Sequence, residues 1–202
     1  RRILITILVF SSIGAVFLAI VSLFLGTANI RFIDVFKILA SSLPGLKNYF
    51  SVEGISSGTI TIILKLRLPR AILALLTGAG LAAIGSTMQS LFRNPMAEPG
   101  ILGISSGAGL GATIAIIIGS TDTVFGIGIT SAAAFVGALI TVMIVYNISR
   151  MGSRVSQTVL ILAGMAVSFM NSAIIQLLMI FRRDRMDYIM LWTMGSFSSP
   201  GW

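Results

Sequence analysis

Residues 67–112 read RLPRAILALLTGAGLAAIGSTMQSLFRNPMAEPGILGISSGAGLGA. Two apolar runs, each about the length a helix needs to cross a bilayer, flank a short polar insert. The insert, FRNPMAEP at 92–99, holds Arg93, Asn94, Glu98 and two prolines. Proline removes a backbone donor and disfavours helical geometry in the residue before it, so Asn94-Pro95 and Glu98-Pro99 force a tight break. The stretch predicts a membrane hairpin with crossings over 71–92 and 101–119.

Working outward, uncharged apolar runs predict three more crossings, over 3–25, 124–148 and 158–181. Between the first and second the composition is mixed, with Pro44-Gly45 marking a turn. Apolar residues at helical spacing predict a short interfacial helix there, over 33–41. Ser120-Thr121-Asp122 reads as a turn, and Ser149 to Gln157 as a polar loop carrying Arg150 and Arg154. After Phe181 the chain is charged and then aromatic, which predicts a second interfacial helix over 184–194. Tyr188, Trp192 and Trp202 would sit at headgroup depth. The expected fold is an all-α, polytopic membrane helical bundle with five transmembrane helices.

Composition supports this class. Of 202 residues, 56% are hydrophobic and only 10% charged. The mean hydropathy is +1.02, whereas soluble domains carry about a quarter charged residues. There is no cysteine or histidine, so disulfides and thiolate or imidazole metal ligation are excluded, and the six carboxylates are scattered. No metal site and no catalytic residue is expected. The net charge of +8 sits between apolar runs rather than in a patch, which suits headgroup contact and orientation rather than nucleic acid.

Gly78-Ala-Gly80-Leu-Ala-Ala83 and Gly107-Ala-Gly109-Leu-Gly111-Ala112 fit the dinucleotide pattern G-x-G-x-x-[GA]. That motif needs a preceding strand and a later acidic residue, and both are missing. The glycines read instead as packing. Gly103, Gly107 and Gly111 recur every fourth residue, as do Gly164, Ser168 and Ser172, giving flat helix faces that let backbones approach. No phosphate-binding G-x-x-x-x-G-K-[ST] occurs, so this route to ATP hydrolysis is closed to the chain itself.

The fifth crossing carries Ser168, Asn171, Ser172 and Gln176 on one helical side. Polar groups at membrane depth need partners or water. They either hydrogen-bond between helices or line an aqueous path, and spacing does not separate the two. Arg67 and Arg70 flank Pro69 at the predicted entrance of the second crossing, as snorkelling anchors or as partners for another protein's carboxylates. The five crossings contain no Asp, Glu, Lys, Arg or His. That disfavours an ion-coupled secondary transporter, which needs ionisable groups in its spans. The other alternative is a non-transporting membrane scaffold, which would tolerate changes at both arginines.

The combination of RLPR, RNPMAEPGILGISSGAG and LWTMGSF, with VLILAGMAVSFMNSAIIQLLM in order between the last two, resembles the iron-siderophore, haem and cobalamin (FecCD-type) permease family. These are the membrane subunits of type II ABC importers, and the likeness covers nearly the whole chain. It implies ten helices per subunit, of which this chain, starting at Arg1 and stopping at Trp202, reads as a fragment holding five. It also implies a homodimer or a pair of close paralogues in a bacterial or archaeal cytoplasmic membrane. Two cytoplasmic ATPase subunits would hold ATP and Mg, an extracytoplasmic substrate-binding protein would deliver cargo, and this chain itself would bind no cofactor.

Charge counting alone would invert the chain. With Arg1 and Arg2 inside, the outer face carries Arg31, Lys37, Lys47, Lys65, Arg67, Arg70, Arg182, Arg183 and Arg185. The resemblance instead implies a cytoplasmic N-terminus, with Arg67 and Arg70 docking glutamates of the binding protein. It further implies a cytoplasmic gate formed by Asn94 and Met96 with Ser156, Gln157 and Thr158. Ser168, Asn171, Ser172 and Gln176 become candidates for the translocation path. The coupling helix that receives the ATPase stroke would lie beyond Trp202. The expected activity is permeation of an iron-siderophore complex, or of haem or cobalamin, by alternating access.

Overall fold

The computed structural model describes residues 2–26, 28, 30–42, 52–119, 123–124, 127–151 and 154–197. The turns expected at Pro44-Gly45 and Ser120–Asp122, and Trp202, lie outside the described residues. The architecture is helical, with two short antiparallel ladders of two residues per strand in the connections around α6. Four helical segments, Arg2–Phe24, Ser57–Phe92, Ile129–Ser149 and Gln157–Phe181, are long and apolar enough to cross a membrane, and Ile104–Ile118 is a shorter apolar helix. The chain divides into two compact units, one running to Gly80 and including Phe197, the other Leu81–Ser196.

In the first unit, α1 (Arg2–Phe24) buries only Leu23 near its end. The amphipathic α2 (Phe32–Ser42) turns Val35 and Ile38 inward. With Ile63 and Ala71 these make one apolar cluster, and Phe24 stacks on Phe32 with ring centroids 4.2 Å apart. The third helical segment differs from expectation. It begins at Ser57 rather than Ala71, because Ser56 caps it: its Oγ accepts the Thr59 N–H at 3.2 Å. From α3 (Ser57–Thr61) the chain passes through a π-helical turn (Ile62–Arg67) into α4 (Leu68–Phe92).

The π turn explains how Pro69 is tolerated inside a helical rod. The Leu68 N–H reaches back five residues to the Ile63 carbonyl, and this widened turn makes room for the ring that an α-helical interior would reject. Arg67 and Arg70 therefore sit within a continuous helix rather than at its entrance.

In the second unit α4 ends at Phe92, and a 3₁₀ turn (Pro99–Leu102) leads into α5 (Ile104–Ile118). The expected third crossing starts three residues late because Gly103, at φ +73, breaks the helix direction between them. α6 (Ile129–Ser149) follows a ladder pairing Thr123 with Gly128. A second ladder, Arg150 with Val155, leads to α7 (Gln157–Phe181). A 3₁₀ turn (Arg183–Arg185) then precedes α8 (Met186–Met194), which buries Ile189.

The glycine stripe does what its spacing predicts. A Cβ at Gly107 would strike Thr141, one at Gly111 the Ala133 carbonyl, and one at Gly137 the Gly107 carbonyl, so α5 and α6 touch backbone to backbone. A Cβ at Gly164 of α7 would strike the Ile101 carbonyl, seating α7 on the turn before α5. Replacing Gly137 by Ala should therefore lower stability by about 2 kcal/mol or more, although the same change adds helix propensity. At Gly58 the nearest atom is Ser56 Oγ at 3.9 Å. Gly58→Ala should be neutral or stabilising by up to about 1 kcal/mol, and thermal unfolding in detergent measures both.

Candidate functional site

Of the two arginines of the opening motif, Arg67 is held by backbone carbonyls. The Arg67 guanidinium donates from Nη1 to the Leu23 carbonyl and from Nη2 to the Ala28 carbonyl, both at 2.8 Å. Leu23 lies in the last turn of α1, whose final carbonyls lack intrahelical donors and carry the negative end of the helix dipole. Arg67 thus caps α1 and ties down the segment that follows it. Gly26 makes room: a Cβ there would come within 2.5 Å of Nη2. Arg67 and Arg70 both line an open cleft of about 640 Å³, with Ser22 and Leu25 on one wall and Ile62, Leu66 and Ala74 on the other.

The polar insert and the loop before α7, separated by about sixty residues of sequence, meet at one end of the second unit. Asn94 folds its turn locally, its Oδ1 accepting the Met96 N–H at 2.9 Å. Met96 itself is 82% exposed. Ser156 caps α7, accepting the Val159 N–H at 3.5 Å. Gln157, the first residue of α7, donates from Nε2 to the Leu91 carbonyl near the end of α4 at 3.1 Å. Thr158 is exposed beside it. Beneath this polar layer, Met88, Phe92 and Ala97 pack with Ile101, Leu102, Leu160 and Ile161.

The four polar residues of α7 do not act as one stripe. Asn171 is 4% exposed and donates from Nδ2 to Ser106 Oγ at 3.2 Å and to Thr141 Oγ1 at 3.3 Å. It knots α5, α6 and α7 together, which is the interhelical alternative. Ser168 returns its hydroxyl to the Gly164 carbonyl of its own helix at 2.8 Å. Ser172 is half-buried and Gln176 is exposed. Asn171 also borders a cavity of about 380 Å³ whose other walls include Gly107, Gly111 and Gly137. Ser106 and Thr141 had no sequence signal, since small hydroxyls are ordinary in tightly packed membrane helices.

The basic residues after α7 are partly engaged with each other. Arg182 grips the Asp184 carboxylate with Nε and Nη2 at 3.2 and 3.3 Å, and Arg185 approaches it at 3.5 Å. The hydrogen bond from Arg182 holds the Asp184 carboxyl below its usual range. Among the described residues, no group of three or more His, Cys, Asp or Glu could hold a metal ion.

Several membrane-crossing helices, a glycine-joined bundle and polar groups satisfied between elements define a multi-pass membrane protein. The chain belongs to the FecCD transport family, whose model matches residues 14–202. It is 40% identical over 139 residues to the iron(3+)-hydroxamate import system permease protein FhuB of Salmonella typhimurium, covering 67% of this chain and 19% of that one. It is 38% identical over 149 residues to the cobalamin import system permease protein BtuC of Halobacterium salinarum, covering 74% and 39%. Against the vitamin B12 import system permease protein BtuC of Escherichia coli O127:H6 it is 36% identical over 162 residues, covering 79% and 46%. The chain thus spans less than half the length of these curated relatives. A metal-chelate type ABC transporter solved in an inward-facing conformation superposes with a TM-score of 0.66 and 29% identity, covering 94% of this chain and 54% of that one.

Arg67→Ala should cost about 2 kcal/mol, because two carbonyls lose a charged donor. Arg67→Lys should recover only part, since one ammonium cannot copy the planar fork that reaches both oxygens. Unfolding midpoints in detergent check this. An unchanged midpoint in Arg67→Ala would show that the guanidinium is not structural.

Proposed function

We propose that this chain is part of the membrane-spanning permease subunit of an ABC importer that carries an iron-siderophore complex, with haem or cobalamin as the runner-up cargo. The observation that carries the reading is the family match over residues 14–202, joined to a superposition that takes in 94% of the chain. The substrate choice leans on FhuB, whose name specifies iron(3+)-hydroxamate. The BtuC relatives keep cobalamin as the alternative.

The proposed subunit works by alternating access. Separate cytoplasmic ATPases bind ATP and Mg, an extracytoplasmic binding protein supplies cargo, and two permease subunits enclose the path in the cytoplasmic membrane. The apolar stretches 3–25, 71–92, 101–119, 124–148 and 158–181 carry no charged side chain, and the cations Lys65, Arg67 and Arg70 are confined to the first turns of the Ser57–Phe92 rod, which supports this division of labour over ion coupling. The energy then enters through partners that favour one bundle arrangement over the other.

The geometry refines the assignment of roles. Arg67 and Arg70 line the same cleft, so we assign docking of the binding protein to this pair, with Arg67 also capping α1. Asn94, Met96, Ser156, Gln157 and Thr158 form the proposed cytoplasmic gate, supported by the bond that joins their two turns. Ser172 and Gln176 are the better candidates for the path. Asn171 and Ser168 serve the packing around it.

In the complete importer, Arg70→Glu should weaken binding-protein affinity about tenfold or more, with partial rescue by charge reversal on the partner. Affinity indifferent to this change would remove Arg70 from the interface. Uptake into vesicles holding all subunits should be competed by ferric hydroxamates and not by cobalamin. The reverse pattern would move the assignment to cobalamin.

A further inference from the structure

The last four carbonyls of a helix lack intrahelical donors. At the end of α4, Gln89 O accepts from the Asn94 N–H at 3.1 Å and Ser90 O from the Arg93 N–H at 3.3 Å. Leu91 O accepts from Gln157 Nε2 at 3.1 Å. The first two bonds form a Schellman closure, whose left-handed position ordinarily belongs to glycine. Here it is Arg93, at φ +48, the one non-glycine residue with positive φ among the described residues. An L-side chain is disfavoured in that conformation, which persists where the surroundings impose it.

Those surroundings are on both sides of the turn. Asn94 closes it from within, its Oδ1 accepting the Met96 N–H and its carbonyl accepting the Ala97 N–H at 3.1 Å. From outside comes Gln157 at the start of α7, where Ser156 caps the helix and its N–H donates to the Ser149 carbonyl at 3.2 Å, extending the ladder of Arg150 with Val155. The end of α4 and the start of α7 are thus joined by one amide. That bond is exposed, so water competes for both of its ends, and the strain at Arg93 favours opening once it breaks.

We propose that Gln157 is a releasable latch: its side-chain amide holds the α4–α5 turn in its strained form and couples that turn to the start of α7. The consequence for transport rests on the gate reading above, in which the α4–α5 turn and the start of α7 then open together rather than one at a time. Gln157 acts as a positioning residue through its donor, not through its size.

Hydrogen exchange at the Arg93, Asn94, Met96 and Ala97 amides, measured on the full-length protein in lipid nanodiscs, tests the latch. Gln157→Leu removes the donor at similar size and should speed exchange at all four by about threefold to tenfold, the weight of one exposed hydrogen bond. Gln157→Lys keeps a donor and should match wild type. Adding Arg93→Gly to Gln157→Leu should restore protection, because glycine relieves the strain. Unchanged exchange in Gln157→Leu overturns the latch, as does equal acceleration in Gln157→Lys. Exchange along α5 and α6 should stay at wild-type rates, and a rise there as large as at the turn would mean general loosening and also overturn it. Cargo leak in the reconstituted importer judges the gate separately. Faster exchange without added leak upholds the latch and removes these turns from the gate.

Discussion

Backbone contact between α5 and α6 sets the geometry of the larger unit. Gly107, Gly111 and Gly137 leave out the Cβ atoms that would hold the helices apart, and each takes the other helix's backbone or Thr141 into the space. Lipid tails offer no hydrophobic reason for helices to associate, so close van der Waals packing has to supply it. Once α5 and α6 are that close, Thr141 and Ser106 come within reach of Asn171, and α7 is drawn in through a polar knot. Gly164, over the Ile101 carbonyl, fixes the height at which α7 meets the turn before α5. The candidate gate sits at the end of this assembly and inherits its position from it.

Polar side chains in such a bundle are costly without partners, and four of them have specific acceptors. Arg67 supplies the end of α1, Asn171 ties three helices, Gln157 reaches the end of α4, and Ser168 bonds back to Gly164. Two of these residues close helix ends across long sequence separations. The structural roles of Arg67 and Asn171 follow from what each donor already holds: one closes a helix end and the other is a buried amide between three helices.

Much of this was legible before the structure. The apolar runs, the proline-bounded insert, the glycine stripes and the existence of the two short helices Phe32–Ser42 and Met186–Met194 follow from length and spacing, because membrane helices must satisfy their backbones internally and crossing length is fixed by the bilayer. The start of the third helical segment was not legible. Arg67, Pro69 and Arg70 read as the entrance of a crossing that begins at Ala71, whereas the π turn, with its five-residue hydrogen bond from Leu68 to Ile63, lets the helix run through them. The partners of Arg67, Asn171 and Gln157 were equally hidden, since each lies 30 to 66 residues away. Sequence periodicity reports which face a residue occupies, not what stands opposite it.

The central claim is that these spans are a passive conduit whose motion is driven from outside the bundle. The most direct measurement is energy coupling in vesicles containing the complete importer and loaded with ATP. Cargo uptake should persist when proton and sodium gradients are collapsed by ionophores, and should stop when the partner ATPase is inactivated. Uptake that survives ATPase inactivation but vanishes with an ion gradient would contradict the account.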